Sequence, residues 1–149
     1  MTSRAEVVAE ARAWLNVPWH HQGRTRAGCD CGGLIGAVAV ALGIVPEAWW
    51  QDTFDPLYGG YGRLPANGTL RRVCDSFMAE IDPAGMQPGD VMLMKFKTEP
   101  QHLAIVANYV HGGLSMIHAM STVGRVAEHR LAPEWRARVV AAYSMPGVI

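Results

Sequence analysis

Two cysteines, Cys29 and Cys31, lie one residue apart in the segment GCDCGGLI, and this pair allows three interpretations. As zinc ligands they would be closer than the usual spacing of about two to four residues, with Cys74 as the one further thiol of the chain. As structural residues they would be small buried side chains near the start of a helix. As a nucleophile, one of them must ionise, because the thiolate is the form that attacks a carbonyl carbon.

The place of Cys31 favours the nucleophile. Asp30 is a candidate N-cap, so Cys31 would begin a helix whose unpaired N–H groups and positive dipole end lower a thiol pKa. Gly32 and Gly33 each weaken a helix by about 1 kcal/mol relative to alanine, and we expect them to leave room for a substrate backbone. The backbone N–H of Cys31 is then a candidate oxyanion donor. Cys29 precedes this helix and is predicted to be a bystander.

Two of the six histidines are candidates for the general base that such a thiol needs. His102 opens the apolar segment HLAIV and His118 lies inside MIHAM, and these segments predict neighbouring antiparallel strands joined by a turn at residues 111–113. A hairpin centred near residue 110 would place the two imidazoles roughly opposite each other. We predict that His102 takes the thiol proton and later returns it, while His118 orients the His102 ring. The other four histidines lie in predicted loops, in the hairpin turn or in the charged segment AEHRL.

The first half of the chain predicts the helices that position these groups. Ser3 and Glu6 have the spacing of a capping box for a first helix, which ends before Pro18. The second helix runs from its cap at Asp30 to Gly43. A third follows a cap at residue 69 and contains the buried Cys74, with apolar residues at helical spacing: Leu70, Val73, Phe77 and Ile81.

Segment 46–68, between the second and third helices, is rich in Trp, Tyr, Gly and Pro and has no clear period. We interpret it as a long irregular insertion, and such insertions are often functional. Its aromatic side chains are predicted either to line a substrate groove or to cap the core: Trp49, Trp50, Tyr58 and Tyr61.

The second half of the chain predicts strands. Five segments carry strand patterns and are separated by turn residues: QPGDVMLMKF, HLAIVANYV, LSMIHAM, RVAEHRL and RVVAAYSM. Helices first and strands second indicate an α+β fold, in which the helices pack on one side of an antiparallel sheet of about five strands. We expect residues 1–149 to form one domain, since 149 residues is an ordinary domain size.

The composition of the chain indicates which classes of partner it does not bind. Thirteen Lys and Arg balance 13 Asp and Glu, so the net charge of zero argues against binding to nucleic acid or to an anionic membrane surface. The longest apolar run, residues 34–42, is too short to cross a bilayer. The start MTSRAEVVAE lacks the pattern of a signal peptide, so we expect synthesis in the cytoplasm with reduced thiols. We expect no cofactor and no metal, and zinc at the cysteine pair is the alternative to a nucleophile.

Four segments in this order resemble the NlpC-type cell-wall peptidases, which are papain-like cysteine hydrolases: CDCGGLI, PGDV, HLAIV and IHA. The segments VPWHHQGR, GCDCGGLI and ALGI carry a narrower resemblance. The resemblance covers nearly the whole chain and is closest to the small version found in phages and gene transfer agents. It implies a papain-like fold, with Cys31 as nucleophile, His102 as base and His118 as the third polar residue.

The activity that this resemblance implies is cleavage of peptidoglycan stem peptides, usually between D-glutamate and a diamino acid. A phage or gene transfer agent would carry the enzyme at its tail tip, beside tail-tip or baseplate proteins, and the particle would deliver it to the cell wall. Three alternatives stay open. The site could transfer or deamidate through the same thioester, the chain could be a structural plug with weak activity, or Cys29, Cys31 and a histidine could bind zinc.

The chain departs from the family pattern at two positions. Ser often follows the nucleophile where this chain has Gly32, and Tyr often follows the early proline where it has Trp19. The hydroxyl of that Tyr is therefore missing, and a nearby loop residue is expected to replace it. We predict that substrate contacts come from this loop and from the start of the second helix: Trp19, His20, His21, Gln22, Asp30 and Gly32.

Overall fold

A computed structural model describes residues 1–58, 68–96 and 100–149. The helices of this part of the chain lie mostly before the main sheet. They are α1 (Arg4–Arg12), α2 (Cys31–Ala41), a π-helix (Trp50–Phe54), α3 (Asp55–Tyr58), α4 (Thr69–Phe77), a 3-10 turn (Pro83–Gly85) and α5 (Pro133–Arg136). None of the helices in the described ranges is long and apolar enough to cross a membrane.

The strands form a short hairpin and one large sheet. The hairpin pairs β1 (Arg24–Thr25) with β2 (Gly28–Cys29). The large sheet contains β3 (Ala79–Ile81), β4 (Val91–Lys95), β5 (Pro100–Asn108), β6 (Leu114–Met120), β7 (Arg125–Arg130) and β8 (Val139–Ser144). Its strand order is β3-β8-β4-β5-β6-β7, and neighbouring strands are antiparallel. The predicted α+β arrangement is confirmed, with six strands in this sheet instead of about five.

The additional strand, β3, comes from residues predicted to continue the third helix. That helix ends at Phe77, because Met78 is already extended, with φ −110° and ψ 159°. Ile81 then pairs with Ala142 of β8, so its backbone hydrogen bonds go to the sheet. The helix also starts differently from the prediction: Gly68 is the N-cap, with φ +73°, and Thr69 is the first helical residue.

The first two helices begin where their capping residues predict. The Ser3 hydroxyl accepts the Glu6 N–H at 3.1 Å, and the Glu6 carboxylate accepts the Ser3 N–H at 2.7 Å, which completes the capping box of α1. Asp30 caps α2 through a hydrogen bond from the Gly33 N–H to its Oδ1 at 2.9 Å. Residues 31–39 of α2 are all buried, so this helix is central to the domain.

The large sheet is buried on both faces, and strand residues alternate between them. On β4, Leu93 joins the cluster that packs under the helices, whereas Met92 joins a second cluster on the other side of the sheet. On β5, Leu103 and Ile105 belong to the helix side and Ala104 belongs to the second cluster. The helix side of the sheet therefore holds the main core.

The β5–β6 hairpin confirms the predicted pairing of strands but corrects its register. The turn closes through a hydrogen bond from the Tyr109 N–H to the Gly113 oxygen at 3.0 Å. Ile105 pairs with Ile117, and this register offsets His102 from His118 by two residues along the strands. The two histidines are diagonal neighbours and not direct opposites, yet the even offset keeps them on one face.

The described part of the insertion, residues 46–58, is largely helical. Trp49 and Trp50 are buried, and their rings lie 5.3 Å and 4.9 Å from that of Phe54, so in this region they complete the core. Tyr58, at the end of α3, is 1% exposed. Tyr61, also predicted to line a groove or cap the core, lies outside the described residues.

Candidate active site

Cys31 is the first residue of α2, as the sequence predicts, and Asp30 fixes the approach of the chain to it. One Asp30 carboxylate oxygen accepts the Gly33 N–H, and the other accepts the Gln22 N–H at 2.8 Å. Asp30 is 3% exposed. Its carboxylate thus lies inside the protein and joins the preceding loop to the helix; contact with substrate stays a prediction.

A hydroxyl lies beside the thiol, and it belongs to Tyr58. The Tyr58 Oη is 4.0 Å from the Cys31 Sγ, and it accepts the Gly32 N–H at 3.1 Å. Sequence analysis noted this tyrosine only as one of four aromatic residues of the insertion. The signal that could have singled it out is the missing hydroxyl at Trp19, which another part of the chain would have to replace.

Gly32 and Gly33 leave room for the protein's own atoms. A Cβ on Gly32 would lie 2.2 Å from a ring carbon of Tyr58, and one on Gly33 would lie 1.9 Å from the Gly23 carbonyl oxygen. The expectation that these glycines make space for a substrate backbone is therefore wrong. The absence of a side chain at Gly32 is instead a condition for Tyr58 to reach the thiol.

The thiol of Cys31 is neutral in the resting protein. Burial raises its pKa to about 12, and the charge of Asp30 adds to this effect. Hydrogen bonds from the Leu103 backbone, the Tyr58 hydroxyl and the Gly32 backbone lower the pKa but are outweighed. The helix start at Gly32 thus lowers this pKa as predicted, but the net shift is upward because burial disfavours the thiolate more strongly. An attack by this sulfur would therefore require a base that removes its proton.

The other two thiols are also buried. Burial raises the pKa of Cys29 to about 12, and it also raises the pKa of Cys74, which lies in α4.

Among the described residues, no group of three or more His, Cys, Asp or Glu side chains is arranged to hold a metal ion.

The structure brings His102 and His118 into a direct hydrogen bond. The His102 Nε2 lies 2.7 Å from the His118 Nδ1, and the two side chains are 4% and 1% exposed. Their rings pack against the aromatic rings of Phe96 and Trp135, at centroid distances of 5.6 Å and 5.4 Å. Burial lowers the pKa of His102 to about 4 and that of His118 to about 2. Both imidazoles are therefore neutral at pH 7.

A third histidine, His129, extends this pair. Its Nε2 lies 2.8 Å from the His118 Nε2, and its Nδ1 lies 2.9 Å from the Arg130 carbonyl oxygen. Sequence analysis left it in a charged segment without a role. The alternation along β7 could have identified it, since His129 pairs with Met116 and so lies on the same face as His118.

The Cys31 thiol and His102 both lie at the start of β5. Leu103, whose backbone lies close enough to the Cys31 thiol to lower its pKa, directly follows His102. Within the described residues, no hydrogen bond joins the thiol directly to His102 or His118. The structure thus places the predicted nucleophile beside the strand that bears the predicted base, and the imidazole pair is already assembled.

The loop before α2 holds three further predicted substrate contacts beside Gln22. The Trp19 N–H donates to the Gly124 oxygen at 2.9 Å, and the Trp19 ring lies 6.5 Å from that of His21. The His20 side chain is exposed, and its Nδ1 lies 3.0 Å from the His21 carbonyl oxygen. His20, His21 or Gln22 was expected to replace the missing hydroxyl, but the hydroxyl found beside Cys31 comes from α3.

Comparison with known proteins gives a family and a fold. The sequence matches the model of the NlpC/P60 family over residues 16–144. No curated protein sequence matches it. The structure is similar to the NlpC/p60 domain of the peptidoglycan hydrolase SagA, at 23% identity and a TM-score of 0.60, covering 95% of this chain and 98% of that one.

Two further solved structures share the fold at lower identity. The peptidoglycan hydrolase RipB from Mycobacterium tuberculosis is 18% identical, with a TM-score of 0.57 and coverage of 95% of this chain and 63% of that one. An N-acetylmuramoyl-L-alanine amidase from Bacteroides uniformis is 12% identical, with a TM-score of 0.66 and coverage of 95% and 98%. The chain spans less than half of three other matched chains, at 39%, 41% and 47% of their lengths.

The buried imidazoles predict how stability depends on pH. In the unfolded chain they titrate near their ordinary pKa of about 6.5, whereas in the folded protein the pKa of His102 is lowered to about 4. Between these values the unfolded chain binds more protons, so the free energy of unfolding falls as the pH falls through this window. Urea unfolding at about pH 7.5 and about pH 5 measures the loss.

Two variants separate this effect from the titration of other groups. His118→Asn removes one buried imidazole, and we expect a smaller difference in unfolding free energy between the two pH values. His111→Asn changes an exposed histidine of the hairpin turn and should leave the difference as it is in the wild type. An equal pH dependence in wild type and His118→Asn would contradict the prediction.

Proposed function

The chain belongs to the NlpC/P60 family, and from that premise we propose that it is a cysteine-type hydrolase that cleaves peptide bonds in peptidoglycan stem peptides. The observation that carries the proposal is the arrangement at β5. The Leu103 backbone lies close enough to the Cys31 thiol to lower its pKa, and Leu103 follows His102, which is paired with His118 at 2.7 Å. Nucleophile, base and orienting group are the three parts that acyl transfer requires.

The neutral resting state sets the order of proton transfers. His102 takes the proton of the Cys31 thiol as the sulfur attacks the carbonyl carbon of the scissile bond, which gives a tetrahedral intermediate. The intermediate collapses to a thioester when His102 returns this proton to the leaving amine. Water then attacks the thioester with His102 as base again, and the acid product and the free thiol are released.

Tyr58 supplies a donor for the oxyanion of that intermediate. Its oxygen accepts the Gly32 N–H at 3.1 Å and lies 4.0 Å from the sulfur, so a substrate carbonyl under attack would come within reach of its O–H. Accepting one hydrogen bond strengthens a hydroxyl as a donor. Together with the backbone N–H of Cys31, this hydroxyl forms a two-donor oxyanion hole.

The bond that we propose joins D-glutamate to a diamino acid in the stem peptide. Support comes from the motifs that resemble the NlpC-type peptidases, and from relatives whose names are those of peptidoglycan hydrolases, SagA and RipB. One similar structure is named as an N-acetylmuramoyl-L-alanine amidase, which makes the first amide bond of the stem the competing site of cleavage. The masses of the products distinguish the two bonds.

Cys31→Ala should abolish the release of muropeptides from purified sacculi, whereas Cys29→Ser should retain most of it. Alanine removes the nucleophile, while Cys29 lies outside the helix and contributes no atom to the proposed chemistry. Mass spectrometry of the soluble products reports both the extent of cleavage and the bond that is broken.

Other outcomes of this digestion select the alternatives. Equal release by the wild type and Cys31→Ala would contradict cysteine catalysis, and loss of activity in Cys29→Ser alone would make Cys29 the nucleophile. No release by either protein would favour a structural plug. Products extended by an added amine or amino acid would identify an acyltransferase.

Tyr58→Phe should lower kcat for a synthetic stem peptide on the order of 100-fold, because one oxyanion donor is lost, and KM should change little. Tyr109 lies in the β5–β6 turn, so Tyr109→Phe is the matched control and should have wild-type kinetics. Full activity of Tyr58→Phe would show that this hydroxyl does not act on the reacting atoms.

A phage-like particle is the proposed carrier of the enzyme, at its tail tip or baseplate. The support is the resemblance of VPWHHQGR and GCDCGGLI to the small phage and gene transfer agent versions of the family. Particles purified from the producing cells should contain this chain in a fixed ratio to the tail proteins, as measured by quantitative peptide mass spectrometry. Its absence from the particles would refute this route of delivery.

A further inference from the structure

The three imidazoles of His102, His118 and His129 form one line of hydrogen bonds that ends on a backbone carbonyl. Each neutral imidazole has one N–H donor and one acceptor nitrogen, so a bond between two rings can run in either direction. A line of neutral rings therefore has two arrangements with the same number of hydrogen bonds between rings. Which one forms depends on the group at the end of the line.

The Arg130 carbonyl removes this ambiguity, because a carbonyl oxygen can only accept. The His129 Nδ1, 2.9 Å away, must carry the proton. The same oxygen accepts the Ala132 N–H at 2.9 Å, so a second hydrogen bond holds the carbonyl in place. With its one proton on Nδ1, His129 presents Nε2 as an acceptor to His118.

The tautomer of His129 determines that of His118, which in turn determines that of His102. The His118 Nε2 donates to the His129 Nε2 at 2.8 Å, which leaves the His118 Nδ1 unprotonated. The His102 Nε2 donates to that nitrogen at 2.7 Å. His102 is then left with an unprotonated Nδ1, the one nitrogen of the line that can take a proton from the nucleophile.

We propose that His129 is a positioning residue, which uses the Arg130 carbonyl to fix the tautomers of His118 and His102 so that the His102 Nδ1 is the free base. The proposal rests on the proposed cysteine chemistry and adds the residue that makes His102 competent for it. In the opposite arrangement the His102 Nδ1 would carry a proton and could not accept one from Cys31.

The surroundings of the line suit a chain of neutral rings. The Trp135 ring covers its outer part, with centroids 5.4 Å from that of His118 and 5.0 Å from that of His129. Burial lowers the pKa of both inner imidazoles, so neither carries the charge that would upset the alternation of donors and acceptors.

The tautomers can be read directly in the resting protein. A long-range ¹H–¹⁵N spectrum of wild-type protein labelled with ¹⁵N-histidine distinguishes protonated from unprotonated ring nitrogens. We expect an unprotonated Nδ1 in His102 and in His118, and a protonated Nδ1 in His129. A protonated Nδ1 in His102 at pH 7.5 would overturn the proposal without any variant being made.

Variants at position 129 test the dependence on an acceptor. His129→Gln offers an oxygen that can accept from His118, so we expect the His102 tautomer to be kept and kcat to stay within about threefold. His129→Lys offers donors only, so we expect the line to reverse and kcat to fall on the order of 100-fold or more. His129→Leu separates the loss of the acceptor from the added charge, and His111→Gln is the exposed control.

Circular dichroism verifies the fold of each variant before it is assayed. Equal loss of kcat in the Gln and Lys variants with the wild-type tautomer retained, or no change in either, would refute the role of His129. Failure of the proposed function would look different. The wild type would then release no muropeptides from sacculi while the three tautomers still appeared as assigned.

Discussion

The approach of the α2 N-terminus to strand β5 is the constraint on which the rest of this site depends. It brings the Cys31 thiol to the Leu103 backbone and so to the start of the strand that bears His102. Such an approach requires a helix start without bulky side chains, and Gly32 and Gly33 provide it. The Tyr58 ring occupies the space beside Gly32, and the Gly23 carbonyl occupies the space beside Gly33. The Asp30 carboxylate then holds the helix start and the preceding loop together with two hydrogen bonds.

Burial of Cys31 and His102 shifts both of their pKa values toward the neutral forms. The thiol pKa is raised to about 12 while the His102 pKa is lowered to about 4, so an ion pair between the two is disfavoured in the resting protein. The same dry surroundings strengthen every hydrogen bond to charge that develops during attack. A site built this way depends on preset donors and acceptors, such as the Tyr58 hydroxyl and the imidazole line, more than on a preformed thiolate.

Local sequence patterns predicted the parts of the fold that are controlled locally. The capping residues Ser3 and Asp30 mark the starts of α1 and α2, and alternating apolar segments mark strands β4 to β8. The sequence also predicted the pair His102 and His118 on one face, although the register of their strands differs by two residues from the hairpin expected. A hairpin whose turn has several possible lengths does not define its register by composition alone.

Local sequence patterns could not predict the features that depend on contacts between distant segments. The thiol pKa follows from how deeply α2 is buried, which no short segment encodes. Tyr58 and His129 reach the site from α3 and β7, 27 residues after Cys31 and 11 residues after His118. For Tyr58 in particular, the surrounding segment has no period that could predict a helix, because the π-helix before it interrupts the usual spacing of apolar residues.

The two departures from the family pattern are linked by one side chain. With Trp19 at its position, the loop offers no tyrosine hydroxyl there, and Tyr58 brings one from α3 to within 4.0 Å of the sulfur. Its ring occupies the space where a side chain at position 32 would lie, so a serine after the nucleophile would clash with it. Gly32 is therefore the partner that Tyr58 needs. The proposed chemistry requires one hydroxyl beside the sulfur, and that requirement does not specify which segment must supply it.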